Sequence, residues 1–419
     1  MIKIRSVVMA ILALLIVTPY LQMKYTEHIV ILQEDVNHTH NALYRNWRNL
    51  TLKEKNSLSK LGRILFLQEP LPETPNRSTP YTILVWKHGK SLEMRHINQY
   101  TKQRLNPFQS CSVNKCRITY KDDDLPIADL VLFHMHRIKN LHDLPHNKRV
   151  QKQIWAFLTD ESPYHTFLYS KDNRITDYDG VFNWSMSYRM HSDIPVPYGR
   201  TLSKNTPVNI WNYETWQQSK NQTVLVALMA SNCGGQSGRW EYVRELQKHM
   251  QIDVYGDCGN LKCAGHYDLD CPKLSKYKFY LSFENSNCDE YITEKVWWNA
   301  YQKNAIPIVM GGSKESYKKI LPPDSYIHVN DFATPRSLAD YIRYLNDTAS
   351  ELKIYFQWKK SFSVLNEHGY FQSASVHYCR ICEALHYNSK DVKVYTSLES
   401  FLDKGRCQPK WSAVVDGGG

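Results

Sequence analysis

The stretch FENSNCDEYITEKVWWNAYQKNAIPIVMGG, residues 283–312, decides the fold class. It opens at the end of one apolar run, Phe279 to Phe283, and closes over another, Ala305 to Met310, each of strand length. Between them Thr293 to Gln302 reads as a helix with Thr293 at its N-cap. Strand, helix and strand in that order make a βαβ unit with a parallel sheet. Glu284, Asn285 and the helix start then stand at the carboxyl end of a strand, where open α/β sheets meet their ligands.

The same pattern extends outward. Thr223 to Ala230 and Ile252 to Tyr255 read as strands, with a helix predicted from Arg239 to Met250. Before a break near Pro195-Val-Pro-Tyr-Gly199, the runs Tyr81 to Trp86, Ala128 to Phe133 and Gln153 to Leu158 are spaced for crossovers. Two α/β domains facing a cleft follow, at 81–200 and 201–365, with a carboxyl-terminal segment at 366–419.

The amino terminus differs. Residues 1–5 form a short basic tail, and Val7 to Met23 carry no charge, which predicts a signal-anchor over 6–23 with the remainder of the chain lumenal. Residues 24–80 are polar and then proline-rich, and read as a stem. Asn-x-Ser/Thr sequons at Asn37, Asn49, Asn76, Asn221 and Asn346, with a sixth at Asn183 inside an apolar-aromatic segment, fit a lumenal chain. So do ten cysteines, which read as structural disulfides. They fall in close pairs, Cys111/Cys116, Cys258/Cys263, Cys271/Cys288 and Cys379/Cys382, with Cys233 and Cys407 left over; a Cys379–Cys382 disulfide is expected. The net charge of +11 is scattered rather than gathered into an arm or stripe, which excludes a nucleic-acid partner and favours a small anionic ligand.

Three strand ends carry chemistry. Lys295, at a predicted helix start, suits a phosphate; the ordinary alternative is a capped, solvated helix. The loop Ser231-Asn-Cys-Gly-Gly-Gln-Ser-Gly-Arg239 has three glycines for close backbone approach and an arginine able to hold a diphosphate in bidentate fashion. Glu161, after the strand ending at Leu158, suits a general base facing a cleft; a loop carboxylate or cap is the alternative. Asp122-Asp-Asp124 and Asp268-Leu-Asp270 fit a metal-binding Asp-x-Asp, and His134, His136, His142 and His146 a zinc set, but neither pattern carries enough ligands at fixed spacing.

Phe283-Glu-Asn-Ser286, Tyr291-Ile-Thr-Glu-Lys295, Ala300-Tyr301 and Ile306-Pro-Ile308 with Gly311-Gly312 resemble the donor motif of the α1,3-fucosyltransferases, in their invertebrate-like form. Glu161-Ser-Pro with His165-Thr166, Phe182 to Arg189, Ser192-Asp-Ile194 and Val196-Pro-Tyr-Gly199 resemble that family's acceptor-side signature. The resemblance implies a type II Golgi membrane protein of GT-B architecture, with two Rossmann-like domains behind a signal-anchor and stem. It implies GDP-fucose as donor, glycoprotein N-glycans as acceptors, inversion at the anomeric carbon and no required metal or other cofactor. Asn285, Tyr291, Glu294 and Lys295 match residues that hold GDP-fucose, Arg239 one that contacts its diphosphate, and Glu161 the general base. Tyr188 and Arg189 fall on the acceptor side. Where the family often has Arg-Asp after that pair, this chain has Met190-His191, which bears on acceptor preference. Two other readings compete: a catalytically silent glycan-binding member of the same fold, motivated by Met190-His191, and a metal-dependent GT-A transferase using an Asp-x-Asp site.

Overall fold

The computed structural model describes residues 47–73, 78–93, 96, 106–109, 111–167, 173–204, 206–207, 211–265, 268–391 and 393–412. The chain divides into two compact units, Met1–Asn49 and Leu50–Gly419, and the second holds everything that follows. The expected signal-anchor, the stem up to residue 46, and the sequons at Asn37 and Asn76 lie outside the described residues. Among the described residues no helix is long and apolar enough to cross a membrane.

Two parallel sheets organise the second unit. In the first, β1 (Tyr81–Val85), β2 (Cys116–Thr119), β3 (Leu130–His134), β4 (Ile154–Thr159), β5 (Trp184–Ser187) and β6 (Ile194–Pro195) lie in the order β2-β1-β3-β4-β5-β6. A strand buried on both faces needs apolar residues at consecutive positions. Ile83, Val85, Leu130 and Leu132 therefore enter one core, while Leu84, Val131, Phe133, Trp155 and Phe157 enter another on the opposite face. After β7 (Gly199–Ser203), the second sheet contains β8 (Val226–Met229), β9 (Ile252–Tyr255), β10 (Phe279–Phe283), β11 (Ile306–Met310) and β12 (Ile327–His328), in the order β12-β11-β10-β8-β9. β10 is central, pairing Phe279 with Ile306 of β11 and with Val226 of β8. β13 (Phe362–Asn366) returns antiparallel to β7. Beyond it the helix His377–Tyr387 lays Ile381, Ala384 and Leu385 into the core of the first sheet.

The structure corrects three expectations. Residues from Leu50 onward are not stem: helices Leu52–Ser57 and Lys60–Leu67, capped by Thr51 and Ser59, bury Leu58, Leu61, Leu65 and Phe66 in the first core. The predicted helix from Thr293 shrinks to one turn, Glu294–Trp297, followed by a 3-10 turn at Tyr301–Lys303. Cys379 and Cys382 do not pair with each other. Three apart on one helix, both meet cysteines of the first lobe, forming Cys111–Cys379 and Cys116–Cys382; the others pair as Cys233–Cys258, Cys263–Cys271 and Cys288–Cys407.

Of the remaining sequons, Asn49 is exposed. Asn183, half-buried, donates to the Lys393 carbonyl. Asn221 accepts from the Thr223 amide, and Asn346 from Lys278 Nζ.

Candidate active site

Three strand ends converge on one cleft of about 240 Å³. β4 supplies Glu161, the loop after β8 leads to Arg239 at the start of the helix Arg239–Gln247, and β10 leads to Asn285, Tyr291, Glu294 and Lys295. All six line the cleft. Tyr188 and Arg189 do not: Tyr188 is buried behind Tyr291, ring centroids 5.2 Å apart, and the Arg189 guanidinium donates to the carbonyl of Phe401. Met190 belongs to the first core and His191 packs on Phe401, its pKa pushed down to about 3 by burial and by Arg189 and Arg406. Neither Met190 nor His191 lines the cleft.

The two lobes meet through hydrogen bonds at this point. The Tyr291 hydroxyl donates to Glu161 Oε2 at 2.9 Å, and the Ser162 hydroxyl donates to Ser286 Oγ at 2.8 Å. Burial and the nearby Glu161 carboxylate push the Tyr291 phenol well above its usual pKa, so it remains a donor.

Glu284 is fully buried and does not face the ligand side of the strand end. Its carboxylate accepts from the Thr293 amide at 2.8 Å, from the Thr293 hydroxyl and from Lys295 Nζ at 2.9 Å. Thr293 spends its hydroxyl on Glu284 and makes no capping bond, although the helix still begins at the next residue. Burial alone would lower the Lys295 pKa, but Glu284 and Glu294 outweigh it and raise the pKa, which keeps the ammonium charged. Burial lowers the Arg239 pKa, with Glu284 and Tyr291 opposing; a guanidinium nonetheless stays cationic. Two cations therefore face one cleft, about which only Glu161 and Glu294 bring lining carboxylates among the described residues.

Two buried atoms around the cleft, Arg239 Nε and Asn285 Oδ1, have no hydrogen-bond partner among the described residues. Buried polar atoms in that state are ready for a ligand. Two of the three loop glycines serve packing instead. Gly235, at φ +120°, would drive a Cβ to within 2.7 Å of the Asn285 carbonyl oxygen, and Gly238 would meet Trp411. Asp270 is held by Lys303 at 2.6 Å and by Trp298, and Asp124 accepts from the Thr119 hydroxyl, so neither acidic triplet lines the cleft.

Tyr198, Tyr370 and Phe371 also line the cleft. Tyr198 belongs to the sequence Val196-Pro-Tyr-Gly199. Tyr370 and Phe371 come from the carboxyl-terminal segment, where a φ of +55° at Phe371 is uncommon for a bulky side chain and is not readable from sequence.

Two family models match the chain: "Fucosyltransferase, N-terminal" over residues 78–199, and "Glycosyltransferase family 10 (fucosyltransferase) C-term" over 217–401. Among curated proteins, a Drosophila melanogaster glycoprotein 3-alpha-L-fucosyltransferase A is 37% identical over 66% of this chain. The match spans 52% of that protein, about half its length. A human 4-galactosyl-N-acetylglucosaminide 3-alpha-L-fucosyltransferase is 34% identical over 69% of this chain and 75% of its own. A solved alpha1,3-fucosyltransferase with GDP-fucose superimposes with a TM-score of 0.46 at 16% identity, covering 80% of this chain and 97% of that one.

Proposed function

The chain belongs to the fucosyltransferases of glycosyltransferase family 10, and from that membership we propose that it transfers L-fucose from GDP-fucose, in α1,3 linkage, to N-acetylglucosamine of glycoprotein glycans. The observation that carries this reading is the convergence of Glu161, Arg239 and Lys295 on one cleft built from three strand ends. The names of the Drosophila and human relatives support the glycoprotein and N-acetylglucosaminide acceptors.

In this reading the two sheets are the halves of a GT-B enzyme. Arg239 and Lys295 hold the diphosphate, and Asn285, Tyr291 and Glu294 complete the donor site. Glu161 takes the proton from the acceptor 3-hydroxyl as that oxygen attacks fucose C1 from the face opposite GDP, so the anomeric configuration inverts without a covalent intermediate. The two cations stabilise charge growing on the departing diphosphate, the task a divalent ion performs elsewhere, and no metal is required. The one-turn helix Glu294–Trp297 adds little dipole, so Lys295 supplies the charge directly. The catalytic part is lumenal in a Golgi membrane, behind the signal-anchor, a reading supported by the five disulfides.

The test offers GDP-fucose with core N-glycan, LacNAc and LacdiNAc acceptors to the full-length chain and to Glu161→Gln. Transfer by the native chain and near-complete loss in the variant establish the reaction and choose the acceptor. GDP binding without transfer to any of the three returns the silent glycan-binding alternative.

A further inference from the structure

As the chain leaves β4 it presents two carboxylates in succession, Asp160 and Glu161, and they go different ways. Glu161 lines the cleft. Asp160 turns into the interior, 3% exposed, where its Oδ2 lies 3.3 Å from Nε2 of the fully buried His368. A carboxylate withdrawn from water is costly unless it is paired and hydrogen-bonded, so this contact commits Asp160 to the interior.

The same imidazole lies face-on against the ring of Tyr198, with centroids 3.8 Å apart and planes 19° from parallel. The Tyr198 hydroxyl in turn donates to the backbone carbonyl of Asp160 at 2.8 Å. Tyr198 also meets Tyr291 edge-on at 6.3 Å, and Tyr291 holds Glu161. The residue just before Glu161 is thus gripped twice, by its side chain through His368 and by its carbonyl through the ring stacked on His368.

His368 reaches this place from 208 residues away in sequence. The disulfides Cys111–Cys379 and Cys116–Cys382 tie the helix that follows it to the first lobe. His377 packs edge-on against His368 at 4.5 Å, and the Ser375 hydroxyl lies within hydrogen-bond distance of both His377 Nδ1 and His96 Nδ1.

We propose that His368 is a positioning residue for the transfer reaction: acting through Asp160 and Tyr198, it fixes the Glu161 carboxylate against the acceptor hydroxyl. The disulfide-clasped carboxyl-terminal segment thereby becomes part of the active site. This inference rests on Glu161 being the general base. It also accounts for two adjacent carboxylates at one strand end: one is held by histidine and the other does the chemistry.

The test measures transfer kinetics and GDP affinity for the full-length chain and for His368→Ala, His368→Gln, Asp160→Asn and Glu161→Gln. His368→Ala is expected to lower kcat by about 100-fold, the order of loss that follows a misplacement of about 1 Å, with acceptor KM and GDP Kd within about twofold. His368→Gln, whose Nε2 can donate near the position of the imidazole Nε2, is expected to recover about tenfold of that loss. A His368→Ala kcat within about threefold of the native value overturns the proposal, as does a loss matched by an equal fall in GDP affinity. If His368→Ala does not fold, Asp160→Asn decides: reduced kcat with intact GDP binding supports the proposal, and unchanged kcat overturns it. Full activity in Glu161→Gln removes the base reading and this inference with it; an inactive Glu161→Gln beside native-like His368 variants removes this inference alone.

Discussion

The Tyr291 hydroxyl reaches across the cleft to donate a 2.9 Å hydrogen bond to Glu161, joining residues 130 apart in sequence and on different lobes. A donated bond to a carboxylate is of the charge-assisted kind, worth on the order of 1.5–3 kcal/mol, so it fixes the carboxylate that the proposed reaction uses as its base.

Tyr291→Phe keeps the ring packed on Tyr188 and Tyr198 and removes only that donor. Transfer kcat is expected to fall by about 10- to 100-fold, as the energy of such a bond implies. Steady-state kinetics at saturating donor measure it; an unchanged kcat would show that Tyr291 does not orient the base.

The seam behind the site predicts acid sensitivity. Glu367 is buried between Arg200, which holds it in bidentate fashion at 2.7 Å, and Arg380 at 2.9 Å. Burial alone would raise its pKa, but the two guanidiniums bring it down to about 2 from the usual 4.5. Because the folded pKa is the lower one, the stability from this group is complete above about pH 4.5 and is lost as pH falls toward 2. The shift corresponds to about 3 kcal/mol. In Glu367→Gln that acid-side loss should shrink, while stability at pH 7 falls by on the order of 3 kcal/mol because buried Arg200 loses its carboxylate and Arg380 keeps only Glu383. Denaturation at pH 7 and pH 3 compares them, and equal acid losses in both proteins would refute the assignment.

Peptide mapping under non-reducing conditions should recover Cys111 linked to Cys379 and Cys116 linked to Cys382, while a peptide closed by Cys379–Cys382 would contradict the fold. Each native bridge closes a loop of more than 260 residues. Losing the whole clasp should cost about 5 kcal/mol by chain entropy, with the second bridge adding little because its neighbour already tethers the same elements.

A chain begun at Ser78 lacks Leu58, Leu61, Leu65 and Phe66, all buried in the first core. Each is worth on the order of 2 kcal/mol. Such a chain should be recovered in far lower soluble yield than one begun at Trp47, and equal yields and melting temperatures would return these residues to the stem.

Turnover is expected to persist in EDTA, because Arg239 and Lys295 supply the positive charge at the diphosphate in the proposed reaction. Complete loss restored by a divalent ion would replace that reading with a metal-held diphosphate.

Much of the scaffold was legible in the sequence for a local reason. Runs such as Phe279–Phe283 and Ile306–Met310 are apolar at consecutive positions because both faces of a parallel sheet are covered, and the order of strands and crossovers then sets which end of each strand carries polar residues. That was enough to point to Glu161, Arg239, Asn285 and Lys295, while Tyr291 and Glu294 came from the family resemblance; all six line one cleft, and Glu284, which the same pattern put beside Asn285, is buried. Pairing across the fold had no such local signal. The partner of Cys379 is 268 residues away, the partner of Asp160 is 208, and Thr293 gives up its cap to a buried Glu284. Burial makes those choices: once water is excluded, a carboxylate must take whichever donor the packed chain brings within 3 Å or so, and a thiol whichever sulfur lies opposite. The strands and the residues at their ends followed from side-chain pattern, and which of those residues is held in the interior and which left facing the cleft was decided by the tertiary structure alone.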